Sequence, residues 1–187
     1  MRELSLHILD IAQNSLAADA SLIDIALIED TAAHTLRIVI ADNGKGMPPE
    51  LAQNAADPFV TSRSTRKVGM GIPLFKMAAE LTGGTLSLRS APNEGTTITA
   101  EFCTDHVDFT PLGDLVSTLT LLITMNPQCD FVYHHSVNTD SFILDTRRLR
   151  EQLEDVPLNE PAVTAWLKDY LTEQITNITG GVSNENY

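Results

Sequence analysis

The chain has 187 residues, 43% of them hydrophobic, and a formal net charge of −13. That is room for one ordinary domain, or one domain with a small second unit, and the acid excess argues against nucleic acid as a main partner, because phosphate binding needs a basic face. No apolar run approaches the ~20 residues that span a bilayer, and Met1-Arg2-Glu3-Leu4 has no signal-peptide shape, so no membrane partner is expected. Cys103 and Cys129 show no CxxC or metal spacing and read as buried thiols in a reducing cytosol, which makes the expected location cytoplasmic.

Leu4, Leu6, Ile8, Leu9, Ile11, Ala12, Leu16 and Ala17 repeat at helical spacing, so a helix is predicted over about residues 4–18. Asp10, Asn14 and Ala17 fall on one side of it. A carboxylate and a carboxamide one turn apart suit two tasks: the amide oxygen can serve Mg²⁺, and the carboxylate can take a proton from a water or hydroxyl. A polar stripe on an amphipathic helix explains the same pair without any ligand. Residues 22–28 then read as a strand and Glu29 to His34 as its turn. Residues 35–41 read as a second strand, which delivers Asp42.

Asp42-Asn43-Gly44-Lys45-Gly46-Met47 is unusual at the end of a β-branched run. Glycine costs backbone entropy unless a close approach or a special turn requires it. By itself the hexamer fits a plain turn equally well. A short helix opens at Pro48-Pro49-Glu50-Leu51. Asp57-Pro58-Phe59 leads into a hydroxyl-rich, basic loop, Thr61 to Val68, and then Gly69-Met70-Gly71 before an apolar helix that runs to Leu81. A helix that starts at paired glycines offers free N–H groups to an anion. Arg63, Arg66, Lys67 and Lys76 form a local basic cluster suited to a small anion such as a nucleotide phosphate. Two strands follow, 85–90 and 96–102, joined by Pro92-Asn93-Glu94-Gly95.

Residues 105–187 read as a second unit. Residues 112–123 form an apolar helix, 130–137 and 141–145 a strand pair, and 146–154 and 160–178 two helices. Its formal charge is −9, against −4 for residues 1–104. His134 and His135 are neighbours on a strand and must point to opposite faces, so they are poorly placed to chelate one metal.

Four sites in this order resemble the ATP-binding domain of the GHKL superfamily, which includes histidine kinases, gyrase B-type topoisomerases, MutL repair proteins and large heat-shock chaperones. Asp10 to Ser15 is similar to the N box, and Asp42 to Met47 to the first glycine box. Asp57-Pro58-Phe59 with Gly69-Met70-Gly71 is similar to the F box and second glycine box, and Gly95-Thr96-Thr97 to the closing Gly-Thr site. The resemblance covers about residues 4–102. It implies a Bergerat-type fold: an α/β (α+β) two-layer sandwich with a mixed sheet and helices on one face, here over residues 1–104, followed by a small C-terminal α+β unit over 105–187.

The resemblance also implies roles by position. Asn14 would hold Mg²⁺ on the phosphates. Asp42 would accept from the adenine amine, which selects ATP over GTP because guanine presents a carbonyl there. Gly44 and Gly46 would let the backbone lie against the base, and Met47 would pack on it. Lys67, Val68, Gly69, Met70, Gly71 and Ile72 would bind the phosphates, with Lys67 placed for the γ-phosphate, and Thr96 would support Asp42 through a shared water. The general base of the family is a Glu four residues before the Asn; Asp10 stands there, one methylene shorter, so weak hydrolysis is expected. Lys67-Val68 replaces a Gly-Thr pair, and the Thr61–Val68 lid is short.

The implied function is Mg-dependent ATP binding of histidine-kinase-like type, as a protein kinase or regulatory ATPase acting on a partner through residues 105–187. The alternative is a nucleotide sensor or ATP-driven switch. The layout is similar to small stand-alone kinases of the anti-sigma type and, less closely, to small ATP-binding proteins found with iron-hydrogenase subunits. His7 lies in no phosphoacceptor motif, so phosphorylation of the chain's own histidine is not expected.

Overall fold

The computed structural model describes residues 3–56 and 70–180. Twelve elements follow one another: α1 (Leu4–Ala17), β1 (Leu22–Asp30), β2 (Thr35–Asp42), α2 (Pro49–Asn54), α3 (Gly71–Leu81), β3 (Thr85–Ala91), β4 (Gly95–Cys103), α4 (Leu115–Met125), β5 (Asp130–Val137), β6 (Asp140–Asp145), α5 (Thr146–Leu153) and α6 (Pro161–Ile178). The predicted elements are all present. Their ends move by a few residues, as where β1 continues through Glu29 and Asp30 before its turn.

The strands form one mixed sheet in the order β3-β4-β2-β1-β5-β6. Only the β1–β5 pairing is parallel; the other four are antiparallel. Strand alternation divides the sheet into an inner and an outer face. Inward positions such as Ile23, Ile25, Leu27, Leu36, Ile38, Ile40, Ile98, Phe102, Phe131 and Tyr133 join the buried residues of α1, α3, α4, α5 and α6 in one core. The outward positions stay out of it. This is the helices-on-one-face sandwich that the motifs imply.

The sheet does not stop at residue 104. Leu22 to Glu29 of β1 pair with Asp130 to Val137 of β5, so β5 and β6 extend the same sheet beyond β1. Cys129 is buried, and burial pushes its thiol up to about 11, so it is an inert core thiol. Cys103, the last residue of β4, is only half-buried.

The two histidines do point opposite ways. His134 lies half-buried on the outer face, and His135 is buried on the inner one. There Tyr133 Oη lies 2.9 Å from His135 Nδ1, and His135 Nε2 lies 3.1 Å from Glu29 Oε1. With Tyr133 donating to Nδ1 and Nε2–H donating to Glu29, the imidazole joins all three side chains. Burial, with the Glu29 charge added, pushes the Tyr133 hydroxyl well above its ordinary value, so it remains a donor.

His7 is the second buried histidine. It stacks on Phe75 of α3 with ring centroids 5.3 Å apart, and its Nδ1 has no hydrogen-bond partner among the described residues. Burial lowers its pKa from 6.5 to about 4. The folded state therefore binds this proton less well than the unfolded chain. Stability is held above pH 6.5 and is lost as pH falls towards 4, by about 1.4 kcal/mol per pH unit from this group. Denaturant unfolding of the native chain and of His7→Phe across that window should show a steeper acid loss in the native chain. Parallel curves would mean that His7 is not held neutral.

Candidate functional site

The inner face changes character at one end. Three rows of the register there are Leu27–Ile38–Ala100, Ile25–Ile40–Ile98 and Ile23–Asp42–Thr96, the last continuing to Ser90. The apolar layer thus gives way, at the last row, to Asp42, Thr96 and Ser90. Parity alone turns Asp42 towards the helices, because Leu36, Ile38 and Ile40 of the same strand point inward.

Asp42 is tightly held. Its Oδ1 accepts from the Gly44 N–H at 2.9 Å and from the Thr96 N–H at 3.2 Å. Its Oδ2 accepts from the Ser15 hydroxyl of α1 at 2.6 Å. An ionised carboxylate has about four acceptor positions, so one position on Oδ2 is left for a further donor. Thr96 makes its direct contact through its backbone, because it is the register partner of Asp42. Its hydroxyl lies 2.9 Å from Ser90 Oγ.

The loop after Asp42 is pinned on three sides. Lys45 N–H donates to Ala18 O at the end of α1, Asn93 N–H donates to Lys45 O, and Met47 N–H donates to Ser90 Oγ. Asn43 Oδ1 accepts from Ser21 and Leu22, at the start of β1. The glycines serve this packing. Gly46 has φ +63°, and a Cβ there would lie 1.9 Å from Ala91 O; Gly95 has φ +86°, and a Cβ there would lie 1.9 Å from Asp42 O. The side-chain space missing at Gly46 is thus filled by the chain's own backbone.

α1 connects this corner to the second glycine site. Asp10 lies against the first residue of α3: a Cβ on Gly71 would meet Asp10 Cβ at 3.0 Å and Oδ2 at 3.4 Å. Asn14 lies between, one turn after Asp10 and next to Ser15, and is half-buried. The structure therefore brings Asp10, Asn14, Asp42, Gly44 and Gly71 to α1 or its end, with Thr96 joined through Asp42, whereas Gly46 and Met47 lie against Ala91, Gly95 and Ser90 at the β3–β4 turn. Met70 is exposed at the N-cap of α3. Ile72 puts its side chain into the core, which leaves its backbone N–H as the group it can offer. The first hydrogen bond of this helix runs from Leu74 N–H to Met70 O, after the N–H groups of Gly71 and Ile72. Asp57 to Phe59, the lid with Arg63 and Arg66, and Lys67, Val68 and Gly69 lie outside the described residues. Lys76, the remaining member of the basic cluster, pairs with Glu80 at 3.8 Å.

Ser15 and Ser90 are site residues that sequence reasoning missed. Ser15 follows Asn14 directly and was within reach as part of the N-box segment. Ser90 is visible only through the β3–β4 register.

An NtrY-like sensor histidine kinase of Rickettsia prowazekii is 33% identical over 78 residues, which cover 42% of this chain and 13% of that protein. A sensor-like histidine kinase of Rhizobium meliloti is 37% identical over 75 residues, 37% of this chain and 14% of that protein. The chain thus matches about an eighth of the length of these relatives. The crystal structure of the N-terminal domain of a DNA repair protein superposes with a TM-score of 0.51 at 16% identity, over 78% of this chain and 53% of that one, which shows a shared fold. The family model for histidine kinase-, DNA gyrase B- and HSP90-like ATPases matches residues 1–106, more than half of the sequence. The chain belongs to that family.

Proposed function

We propose that the protein binds ATP with Mg²⁺ around α1 and uses the nucleotide to act on a partner protein, as a histidine-kinase-like phosphotransferase or regulatory ATPase. The observation that carries this reading is the one acceptor position left on Asp42. Three backbone and hydroxyl donors fix the carboxylate, and its remaining lone pair suits the exocyclic amine of adenine. In this reading Met47 packs on the base. The N–H groups of Met70, Gly71 and Ile72, with Lys67, Val68 and Gly69, bind the phosphates.

The residues present fit magnesium as a phosphate-bound ion. The described residues contain no group of three His, Cys, Asp or Glu side chains able to hold a metal, whereas Mg²⁺ on nucleotides needs only one or two protein oxygens and keeps its waters. Asn14 would supply that oxygen; the ion would neutralise phosphate charge. Asn14→Ala should weaken Mg-ATP binding about tenfold or more and leave metal-free nucleotide nearly unchanged by calorimetry. Equal losses with and without metal would remove Asn14 from this role.

In this reading Asp10, which lies against Gly71, would orient a hydroxyl, imidazole or water for in-line attack. The kinase reading draws support from the relatives named as sensor histidine kinases. Residues 1–104 are read as the nucleotide unit and 105–187, with the larger acid excess, as the partner-binding unit. ATP carrying a radiolabelled γ-phosphate tests the chemistry: label on a partner supports a kinase, free phosphate a regulatory ATPase, and neither product a nucleotide sensor.

A further inference from the structure

The two ends of the sheet are finished differently. At one end α2 packs against β3. At the other, β6 pairs with β5, and no further strand meets it among the described residues. The ladder fixes where its backbone groups point. Asn138 N–H donates to Glu29 O, and Asp130 N–H to Ser21 O, so the even-numbered residues of β5 turn their backbone groups to β1 and the odd-numbered ones turn theirs to β6. Phe131 N–H, which meets the Thr146 hydroxyl, keeps the same phase. Tyr133, His135 and Val137 face Leu144, Phe142 and Asp140, so those three residues of β6 are bonded to β5. Ser141, Ile143 and Asp145 therefore aim their N–H groups out of the sheet. Ser141 and Ile143 aim their C=O groups out as well, whereas Asp145 O belongs to the first turn of α5. Such a row is a template for another strand, and natural edges are often blunted by lysine, proline or a bulge. β6 has none of these, and Ile143 at its centre is 58% exposed.

The helix layer is also open on this side. α6 packs beneath β5 and β6, with α4 between it and α1. Its buried stripe includes Val163, Leu167, Leu171 and Ile175. Lys168 and Trp166 lie on opposite flanks of that stripe, each about 100° from Leu167. Lys168 is on the α4 side: hydrogen bonding from Ser117 first, and the Lys168 charge after it, hold the carboxyl of Asp114 at the start of α4 below its ordinary value. Trp166 is therefore turned away from α4, towards the free edge. It stacks on Tyr170 with ring centroids 5.1 Å apart and is 47% exposed.

We propose that two copies of the chain join through this edge, β6 antiparallel to β6, across a twofold axis that passes between the two Ile143 residues perpendicular to the sheet. Ile143 then exchanges two hydrogen bonds with its counterpart, and in each direction Asp145 N–H donates to Ser141 O. On the outer face Ile143 meets Ile143, and each Ser141 hydroxyl meets an Asp145 carboxylate whose charge Arg147 balances at 2.8 Å. The register sets no like charges opposite. The axis keeps both helix layers on one side of the joined sheet. With strands about 4.8 Å apart, each α6 lies about 5 Å from the axis and about 10 Å from the other, the spacing of packed helices. Trp166 and Tyr170 fill that gap. An extended peptide would satisfy the edge alone, whereas a second copy covers edge and aromatic pair in one operation. The edge is about 20 Å long and the two layers about 20 Å deep, so the contact is about 400 Å² per copy, which makes a reversible dimer and not a permanent one. None of this rests on the nucleotide reading.

Sedimentation equilibrium of the full chain from about 10 to 500 µM should show monomer and dimer in exchange. Each copy carries −13, so added salt should tighten the dimer by screening. Ile143→Pro removes an outward N–H and leaves the β5 bonds in place, and Trp166→Ser removes the aromatic contact. Each should weaken the dimer at least about tenfold. Ile143→Lys guards against a proline that disturbs the strand itself: it sets two cations opposite each other, should give the same loss, and should leave thermal unfolding unchanged because the side chain is already in solvent. Trp166 is the only tryptophan, so its emission should shift to the blue as dimer forms. Ile143→Cys in a Cys103→Ser background should give a disulfide dimer on mild oxidation, since the facing Cα atoms would be about 5.5 Å apart, and Ser141→Cys in that background should not. A monomer at about 500 µM, a dimer indifferent to both Ile143→Pro and Ile143→Lys, or a dimer that leaves Trp166 emission unmoved would each overturn the proposal.

Discussion

Asp42→Asn should fold normally and lose ATP affinity by about 100-fold or more in calorimetry. The carboxylate spends three of its four acceptor positions on Gly44, Thr96 and Ser15. An asparagine can serve these partners if its oxygen keeps the two backbone N–H groups, because the Ser15 hydroxyl can turn and accept from the amide. The fourth position then becomes an N–H where the ligand also presents a donor. Lost charge-assisted bonding costs about 1.5–3 kcal/mol, and donor facing donor adds to it. Unchanged thermal stability together with unchanged affinity would remove Asp42 from base recognition. A loss of both would instead mark Asp42 as a structural clamp for the loop.

His135→Leu should lower folding stability by about 3 kcal/mol or more. The leucine fills similar space but leaves the Glu29 carboxylate and the Tyr133 hydroxyl buried with no shared partner. Breaking a buried, hydrogen-bonded set by removing one member is costly because the remaining polar groups stay away from water. Adding Glu29→Leu and Tyr133→Phe should restore much of the loss, since an apolar set of the same shape leaves nothing unsatisfied. Denaturant titration of the single and triple variants gives the comparison. A single variant within about 0.5 kcal/mol of the native chain would show that the three groups do not depend on one another.

Much of this molecule was legible in its sequence, for identifiable reasons. Apolar spacing located α1 and α3, and β-branched alternation located β1, β2 and β5. The motif order led to the inner row of Asp42 and Thr96 before any register was known. What was not legible depends on contacts distant in the chain. Ser15 as the third donor to Asp42 requires knowing which face of α1 meets the end of β2. The occupation of the Gly46 Cβ position by Ala91 O requires the β3–β4 turn to fold back across the loop. A change of composition near residue 104 is a real boundary of motifs and of charge. It carries no information about strand order, so the parallel seam between β1 and β5 stayed hidden.

That seam governs the order in which the protein can be made. Glu29 and His135 are 106 residues apart in sequence, and contacts so distant form late because a long loop must close first. While the chain leaves the ribosome, β1 can zip to β2 at once, but its other flank stays open until residues 130–137 have emerged. During that interval the nascent molecule displays a bare strand and an unsatisfied acid that has nothing to hold.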